Sequence, residues 1–359
     1  MGQRIETQVV THSQLRSGNF TISDDKYGIA SYVLTNSRVK SLTTCPFIED
    51  VDSVALYMIL VDGVIAGRET YYQTKIKIGE ETVIAEAASA FEVAEPFRHL
   101  AIGADIVMAT FSRSIFFVGA GVSSMALPLD RKLKFHVLEF PRMMLLRNSS
   151  SLLASKNISF LSGMVNIPIR IFNCLKLRKS FKLAEKYMIK KVAIVPDWVD
   201  EIVLNDGHKY AEYHNHEWLQ WNLDNNFRGE ERDCQAFYCI FKGGEPYGFY
   251  MIKERFRKHA GGTLHNVIIG SIVEWGSKDE DKLSESDIIL LSLRNFSKDV
   301  DIIETATASA KTVSTIKKYG FIRHGMANIV FKDKSKTCKD ASDINLWRVR
   351  FGYGDLILT

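Results

Sequence analysis

Apolar and polar positions along this chain fall into short alternating or continuous runs separated by turn signals, and the same order of runs occurs twice. Residues 5–10 alternate as a short strand, and residues 27–38 carry a helical pattern. Val54–Val61 and Val64–Ile78 are rich in β-branched and aromatic residues and flank Asp62-Gly63, a pair that tolerates positive φ and predicts a hairpin. Residues 82–93 form an apolar strand that Glu95-Pro96 must end, because proline cannot donate to a sheet ladder. A helix over 104–112, a buried strand over 114–118, a short helix within 123–133 and a strand pair near 135–146 complete the first series.

Asn148-Ser149-Ser150-Ser151 reads as an exit from this unit. The second series then offers a strand over 191–195 and a helix over 209–225. A hairpin follows, made of 234–241 and 247–257 around Gly243-Gly244. After it come a strand over 264–275, a helix over 283–296, a strand over 300–305, a helix over 308–319 closed by Gly320, and strands over 321–332. The expected fold class is α/β (α+β), two tandem domains each with a mixed central sheet flanked by helices. The boundaries are 1–150, a basic helical linker at 151–191, 192–335, and a tail at 336–359 that packs on the domains. The length of 359 residues agrees with two domains.

Composition adds limits. Hydrophobic residues at 46% and charged residues at 25% allow each half an ordinary core. Five cysteines without a CxxC pair favour free thiols over a disulfide framework or a zinc site. Residues 1–30 lack a signal-peptide pattern and no apolar run reaches the roughly 18 residues that span a bilayer, so the expectation is a cytoplasmic protein. The net charge of +4 is mild, but Lys176, Arg178, Lys179, Lys182, Lys186, Lys190 and Lys191 cluster against one acid, Glu185. The preferred reading of 169–191 is a linker helix packed between the domains. Weak contact with a membrane surface is the alternative. No aromatic-interleaved basic pattern points to nucleic acid. His214 and His216 have no third ligand at a characteristic spacing, so they are read as surface histidines and no metal site is expected.

The chemistry concentrates at Val93-Ala-Glu-Pro-Phe-Arg-His-Leu-Ala-Ile-Gly103. A strand that stops abruptly before a helix leaves backbone N–H groups pointing outward at the positive end of the helix dipole, which suits phosphate. Arg98 can add a charge-assisted bond, His99 sits at the helix start, and Ala101 and Gly103 keep the backbone approachable. The spacing from Val93 through Arg98 and Ala101 to Gly103 resembles the acetyl-CoA loop of the GNAT acetyltransferase superfamily. Here Ala101 stands for the first glycine, and the proline falls one place late. SAKTVSTIKKYGFIRHG, in the second half, is similar to that family's later helix and closing strand.

This resemblance implies two tandem GNAT domains and an acyl-CoA-dependent N-acyltransferase using acetyl-CoA or another acyl-CoA. It assigns Phe91 and Val93 to the pantetheine arm and Arg98, His99, Leu100, Ala101, Ile102 and Gly103 to the pyrophosphate. Ser123 or Ser124 is assigned to a further cofactor contact. The position of the tyrosine that often protonates the leaving thiolate holds Asp130. Glu86 and Glu92 are the candidate bases, and strand alternation puts both on one face, opposite Phe91 and Val93, unless a bulge intervenes. The second half has Gly276-Ser277-Lys278-Asp279-Glu280-Asp281 where its loop should lie, so its cofactor site reads as degenerate. Trp218 and Trp221 fall on neighbouring helix turns and are read first as a structural stripe; they and the tail LWRVRFGYGDLIL also resemble tandem GNAT proteins of bacterial surface-polysaccharide synthesis. The implied acceptor is therefore a small amine, with a nucleotide-linked amino sugar as one form. The alternatives are a non-catalytic ligand-binding or scaffold protein and a Fem-type aminoacyl transferase.

Overall fold

The computed structural model describes residues 3–111, 113–154, 156–176, 178–260 and 265–353. Ser112, Leu264 and the Gly354-Asp355 pair of the tail lie outside the described residues. The first half contains β1 (Ile5–Thr11), α1 (His12–Ser17), α2 (Ile29–Val33), α3 (Asn36–Thr43), β2 (Val54–Val61), β3 (Val64–Ile78), β4 (Glu81–Val93), α4 (Ile102–Phe111), β5 (Phe116–Ala120), α5 (Leu127–Lys132) and β6 (His136–Leu146). Three helices follow: α6 (Ser150–Ala154), α7 (Ser162–Lys176) and α8 (Arg178–Lys186). The second half contains β7 (Met188–Val192), α9 (Val199–Leu204), β8 (Tyr210–Glu212), α10 (His216–Asp224), β9 (Cys234–Lys242) and β10 (Glu245–His259). It ends with β11 (His265–Ser277), α11 (Glu285–Ser292), β12 (Ile302–Ala306), α12 (Ala310–Lys317), β13 (Ile322–Asp333) and β14 (Trp347–Arg348).

Both expected hairpins form where paired residues adopt positive φ. Asp62 and Gly63 (φ 51° and 82°) join β2 to β3, and Gly243 and Gly244 (61° and 91°) join β9 to β10. The 209–225 stretch is not one helix. Tyr210–Glu212 pairs with the far end of β3, and the helix starts only after Asn215, whose side chain accepts from the Trp218 amide at 3.0 Å. Residues 27–38 likewise split into α2 and α3 around Leu34-Thr35.

The strands form one sheet, in the order β1-β2-β3-β4-β5-β13-β6-β12-β11-β10-β9-β7. Along it only β4 with β5 and β11 with β12 run parallel, so the two halves mirror one another about the β13–β6 pair. The closing strands are exchanged: β13, from the second half, lies between β5 and β6, while β6 lies beside β12. Each half thereby covers an edge that the other would leave unpaired. Tyr72, Phe331, Trp218 and Trp347 share a core on one face, between the halves. The opposite face carries two smaller cores, one with Tyr71, Ile106 and Phe117 near α4, the other with Ile288, Ile303 and Ile316 near α11 and α12. No described helix is long and apolar enough to cross a membrane.

The linker differs from the preferred expectation. Helix α7 is not packed between the halves: Asn166 is buried against Ser149, but Met164, Ile167, Ile171 and Leu175 are exposed.

Candidate functional site

Strands β4 and β5 pair only where Glu86, Ala87 and Ala88 face Phe117, Val118 and Gly119. Beyond that point β4 runs on to Val93, while β5 stops at Ala120, and a slot opens between them. A bulge shapes its wall. Arg68 pairs with Glu92, yet Thr70 pairs with Ser89, so two residues of β4 oppose Glu69, and Ala90 takes a φ of 54°. Fully buried Arg68 holds this irregularity, donating to the Ala90 carbonyl and, at 2.7 Å, to the Glu92 carboxylate.

The bulge reverses the facing of the residues that follow it. Phe91 and Val93 join the core near α4, the face that also holds Tyr71 and Ala88, whereas Glu92 turns to Arg68 on the other side. Glu86, before the bulge, stays on the α4 face, because its cross-strand partner Gln73 alternates with Tyr71. The two acids expected on one face therefore lie on opposite faces.

The slot is a cavity of about 160 Å³ lined by Glu69, Ala88, Ser89, Phe91, Gly119, Ser123 and Asp130, among others. Its Gly121–Ser123 wall is pinned by Asn328 of β13, whose side chain donates to the Val122 carbonyl and accepts from the Val122 amide, both at 2.9 Å. The exchanged strand thus completes the first half's site.

Of the residues assigned to the cofactor, Phe91 and Ser123 line this cavity. Ser124 is exposed and does not. The stretch after β4 is a 3₁₀ helix over Glu95–Leu100, ended by Ala101 in the left-handed region at φ 57°. Arg98 and His99 are exposed there, and Arg98 folds back to donate to the Val93 carbonyl at 3.1 Å. Ile102 is buried at the start of α4, and Val93 and Leu100 pack against the same core. A side chain at Gly103 would come within 3.2 Å of the Phe91 ring, so glycine lets α4 approach the strand closely. The slot is thus a narrow opening between β4 and β5, with the first turn of α4 near its end.

Glu86 faces a different cavity, with Tyr71, Arg113 and Phe116. Burial raises its carboxyl from the ordinary 4.5 to about 7, opposed in part by Arg113. The protonated form is thus favoured in the fold, so stability associated with it is present at acid pH and is lost as pH rises through about 7. Glu86→Gln is expected to flatten the fall of melting temperature between about pH 5 and 8, and to be the more stable form at the alkaline end by on the order of 2 kcal/mol. Parallel melting curves for the two proteins across that range would sink this assignment.

Two carboxyls in the slot escape the sequence reading. Glu69 is buried and accepts from the Tyr71 hydroxyl at 2.8 Å. Its signal was an Arg-Glu pair between the apolar residues 64–67 and the aromatic Tyr71-Tyr72 of one strand, since a buried polar residue is the informative exception. Asp130, set aside because it is not tyrosine, projects from α5 into the cavity, and burial raises its carboxyl to about 6.

The equivalent place in the second half holds protein. Strands β11 and β12 part after Ser271, and the tail enters there, with the Gly352 amide donating to the Val273 carbonyl at 2.7 Å. A Cβ on Gly352 would meet the Glu274 carboxylate at 2.6 Å. Beside it, fully buried His214 has Nδ1 2.6 Å from Glu274 and Nε2 3.3 Å from Glu212, and stacks on Trp218 at 3.4 Å. His214 is therefore not a surface histidine. His216 is half-buried, 2.7 Å from Asp200.

The sheet is mixed, its two parallel pairs, β4 with β5 and β11 with β12, part at one end, and the closing strands are exchanged between the halves. No family model matches the chain, and no curated protein matches it in sequence. Among solved structures it is similar to a GCN5-related N-acetyltransferase from Anabaena variabilis, with TM-score 0.55 and 10% identity over 92% of this chain and 73% of that one. It is also similar to Saccharomyces cerevisiae N-myristoyltransferase with bound myristoyl-CoA, with TM-score 0.54 and 10% identity over 92% and 82%. A third match, from Enterococcus faecalis V583, is described as a probable N-acyltransferase (TM-score 0.54, 10% identity, 94% and 74%). The likeness establishes a shared fold.

Proposed function

We propose that this protein is an acyl-CoA-dependent N-acyltransferase with one donor site, the slot between β4 and β5. The observation that carries the reading is the bulge at Ala90, which opens a cavity walled by two buried carboxyls at the point where the strands part. The solved neighbours, one of them with myristoyl-CoA bound, support acyl-CoA as the donor class. Acetyl-CoA and longer chains are both candidates.

Acyl transfer to an amine requires a proton to leave the attacking nitrogen and another to reach the departing thiolate. The thioester supplies the acyl group. On this reading Asp130, its carboxyl raised to about 6 by burial, gives the proton at the slot, and Glu69 takes one. Ser89 lines both the slot and a small cavity on the opposite face with Thr70, Tyr72, Trp221 and Phe227. At about 20 Å³ this second cavity has room for one water and not for an acceptor; the acceptor class, a small amine, follows from the donor chemistry. The tail in the second half's equivalent opening supports a single donor site.

The test is calorimetry with coenzyme A and acetyl-CoA on the wild type and on Ala88→Phe, which fills the slot. Wild-type binding reduced about a hundredfold or more by the substitution is expected, as a large side chain displaces the ligand outright. Absence of wild-type binding, or equal binding by both, would overturn the reading. An acceptor screen that includes nucleotide-linked amino sugars then addresses the amine.

A further inference from the structure

An amphipathic helix normally turns its apolar side inward. Helix α7 does the reverse. Asn166 and Asn173 face the protein: Asn166 accepts from the Ser149 amide at 2.7 Å, and Asn173 donates to the Leu146 carbonyl at 3.0 Å. Met164, Ile167, Ile171 and Leu175, spaced by three and four residues, fall together on the outer side and are 66%, 60%, 57% and 59% exposed. Phe160, just before the helix, extends the stripe. Such a contiguous apolar surface marks a contact, since scattered exposure of single residues is the ordinary case.

Charge indicates what covers it. Arg170, Lys176, Arg178, Lys182, Lys186, Lys190 and Lys191 are all exposed on α7, α8 and β7, against the single acid Glu185. We propose that α7 lies on the surface of an anionic lipid bilayer, with its apolar stripe among the acyl chains and the neighbouring cations against the headgroups. At 15 residues the helix is too short to span a bilayer, which takes about 20. A second copy docked stripe to stripe would set two basic clusters side by side, which like-charge repulsion opposes. The inference stands independently of the acyltransferase reading.

Vesicle co-sedimentation tests it with the full chain, comparing phosphatidylcholine alone with phosphatidylcholine mixed with phosphatidylglycerol. The wild type is expected on the mixed vesicles, with binding that falls as salt is raised. The double substitution Ile167→Asp and Ile171→Asp, at exposed positions, is expected to weaken binding about tenfold or more. Lys176→Glu with Lys182→Glu, which leaves the stripe intact, is expected to abolish the preference for the anionic vesicles. Circular dichroism confirms folding of both variants. No sedimentation of the wild type with anionic vesicles, equal sedimentation of wild type and the Asp variant, or a lipid-free dimer that the Asp variant dissociates would each overturn the proposal, the last in favour of a second copy.

Discussion

Glu274→Ala is expected to lower the free energy of unfolding by about 3–5 kcal/mol, the usual consequence of stripping the counter-charge from buried cations. His214 lies 2.6 Å and Arg350 3.5 Å from this carboxylate, and all three side chains are essentially inaccessible to water. The cluster continues through Asp206 to Lys77 of β3, at 3.1 Å, and through Glu212 to Thr74, also at 3.1 Å. It therefore ties the first half, β8, β11 and the tail together. Removing Glu274 leaves His214 and Arg350 with weaker compensation and nowhere to solvate. The exposed pair of Arg131 and Glu139 is the control: Glu139→Ala is expected to cost less than about 1 kcal/mol. Urea unfolding curves measure both, and equal midpoint shifts for the two variants would refute the contrast. pH gives a second readout. The carboxylates raise the pKa of His214 despite its burial, so the stability it contributes is present at acid pH and lost as pH rises through that raised value. The gap between wild type and Glu274→Ala should narrow accordingly in alkaline buffer.

This cluster also shows where legibility ended. Local features were readable because local chemistry causes them. Asp62-Gly63 and Gly243-Gly244 specify their turns, and β4 ends at Val93, two residues before Glu95-Pro96. The strand order was not readable, because the buried run at 327–331 records that a strand has two buried faces and not which strands flank it. Nothing local distinguishes β13 beside β5 from β13 closing its own half. The bulge escaped for a similar reason. Ala90 adopts positive φ where Arg68, one strand away, can donate to its carbonyl, and no residue in 82–93 announces that partner. Its effect on the site was large, since one extra residue moved Glu92 off the face of Glu86 and brought Phe91 and Val93 onto it. His214 was misread because a histidine between polar neighbours looks solvated, and Glu212, Glu274 and Trp218 bury it only after folding. The outward apolar face of α7, Met164, Ile167, Ile171 and Leu175, escaped the sequence reading because it is set by the inward bonds of Asn166 and Asn173, which form only after folding.

Asp130 tests whether burial can give an acid the task that the resemblance assigns to a tyrosine. Asp130→Asn removes the transferable proton while keeping the size of the side chain. With any acceptor the wild type acylates, kcat is expected to fall by a factor of about 10²–10⁴, with binding of the acyl donor nearly unchanged. Its pH dependence makes the claim specific. A general acid works when protonated, and burial sets this carboxyl near 6, so one limb of the wild-type profile should fall as pH rises above that region. Asn cannot titrate, and the limb should be missing from the residual activity of the variant. A residue that merely shaped the slot would give another result: weaker donor binding, and a pH profile displaced vertically with its limb intact. Glu69→Gln probes the opposite proton transfer, and kcat is expected to fall with binding of the acyl donor nearly unchanged. If Asp130→Asn turned over at the wild-type rate, the slot would still be a binding site. Thiolate protonation would then belong to solvent or to another group, and the reading of Asp130 as the acid would be abandoned.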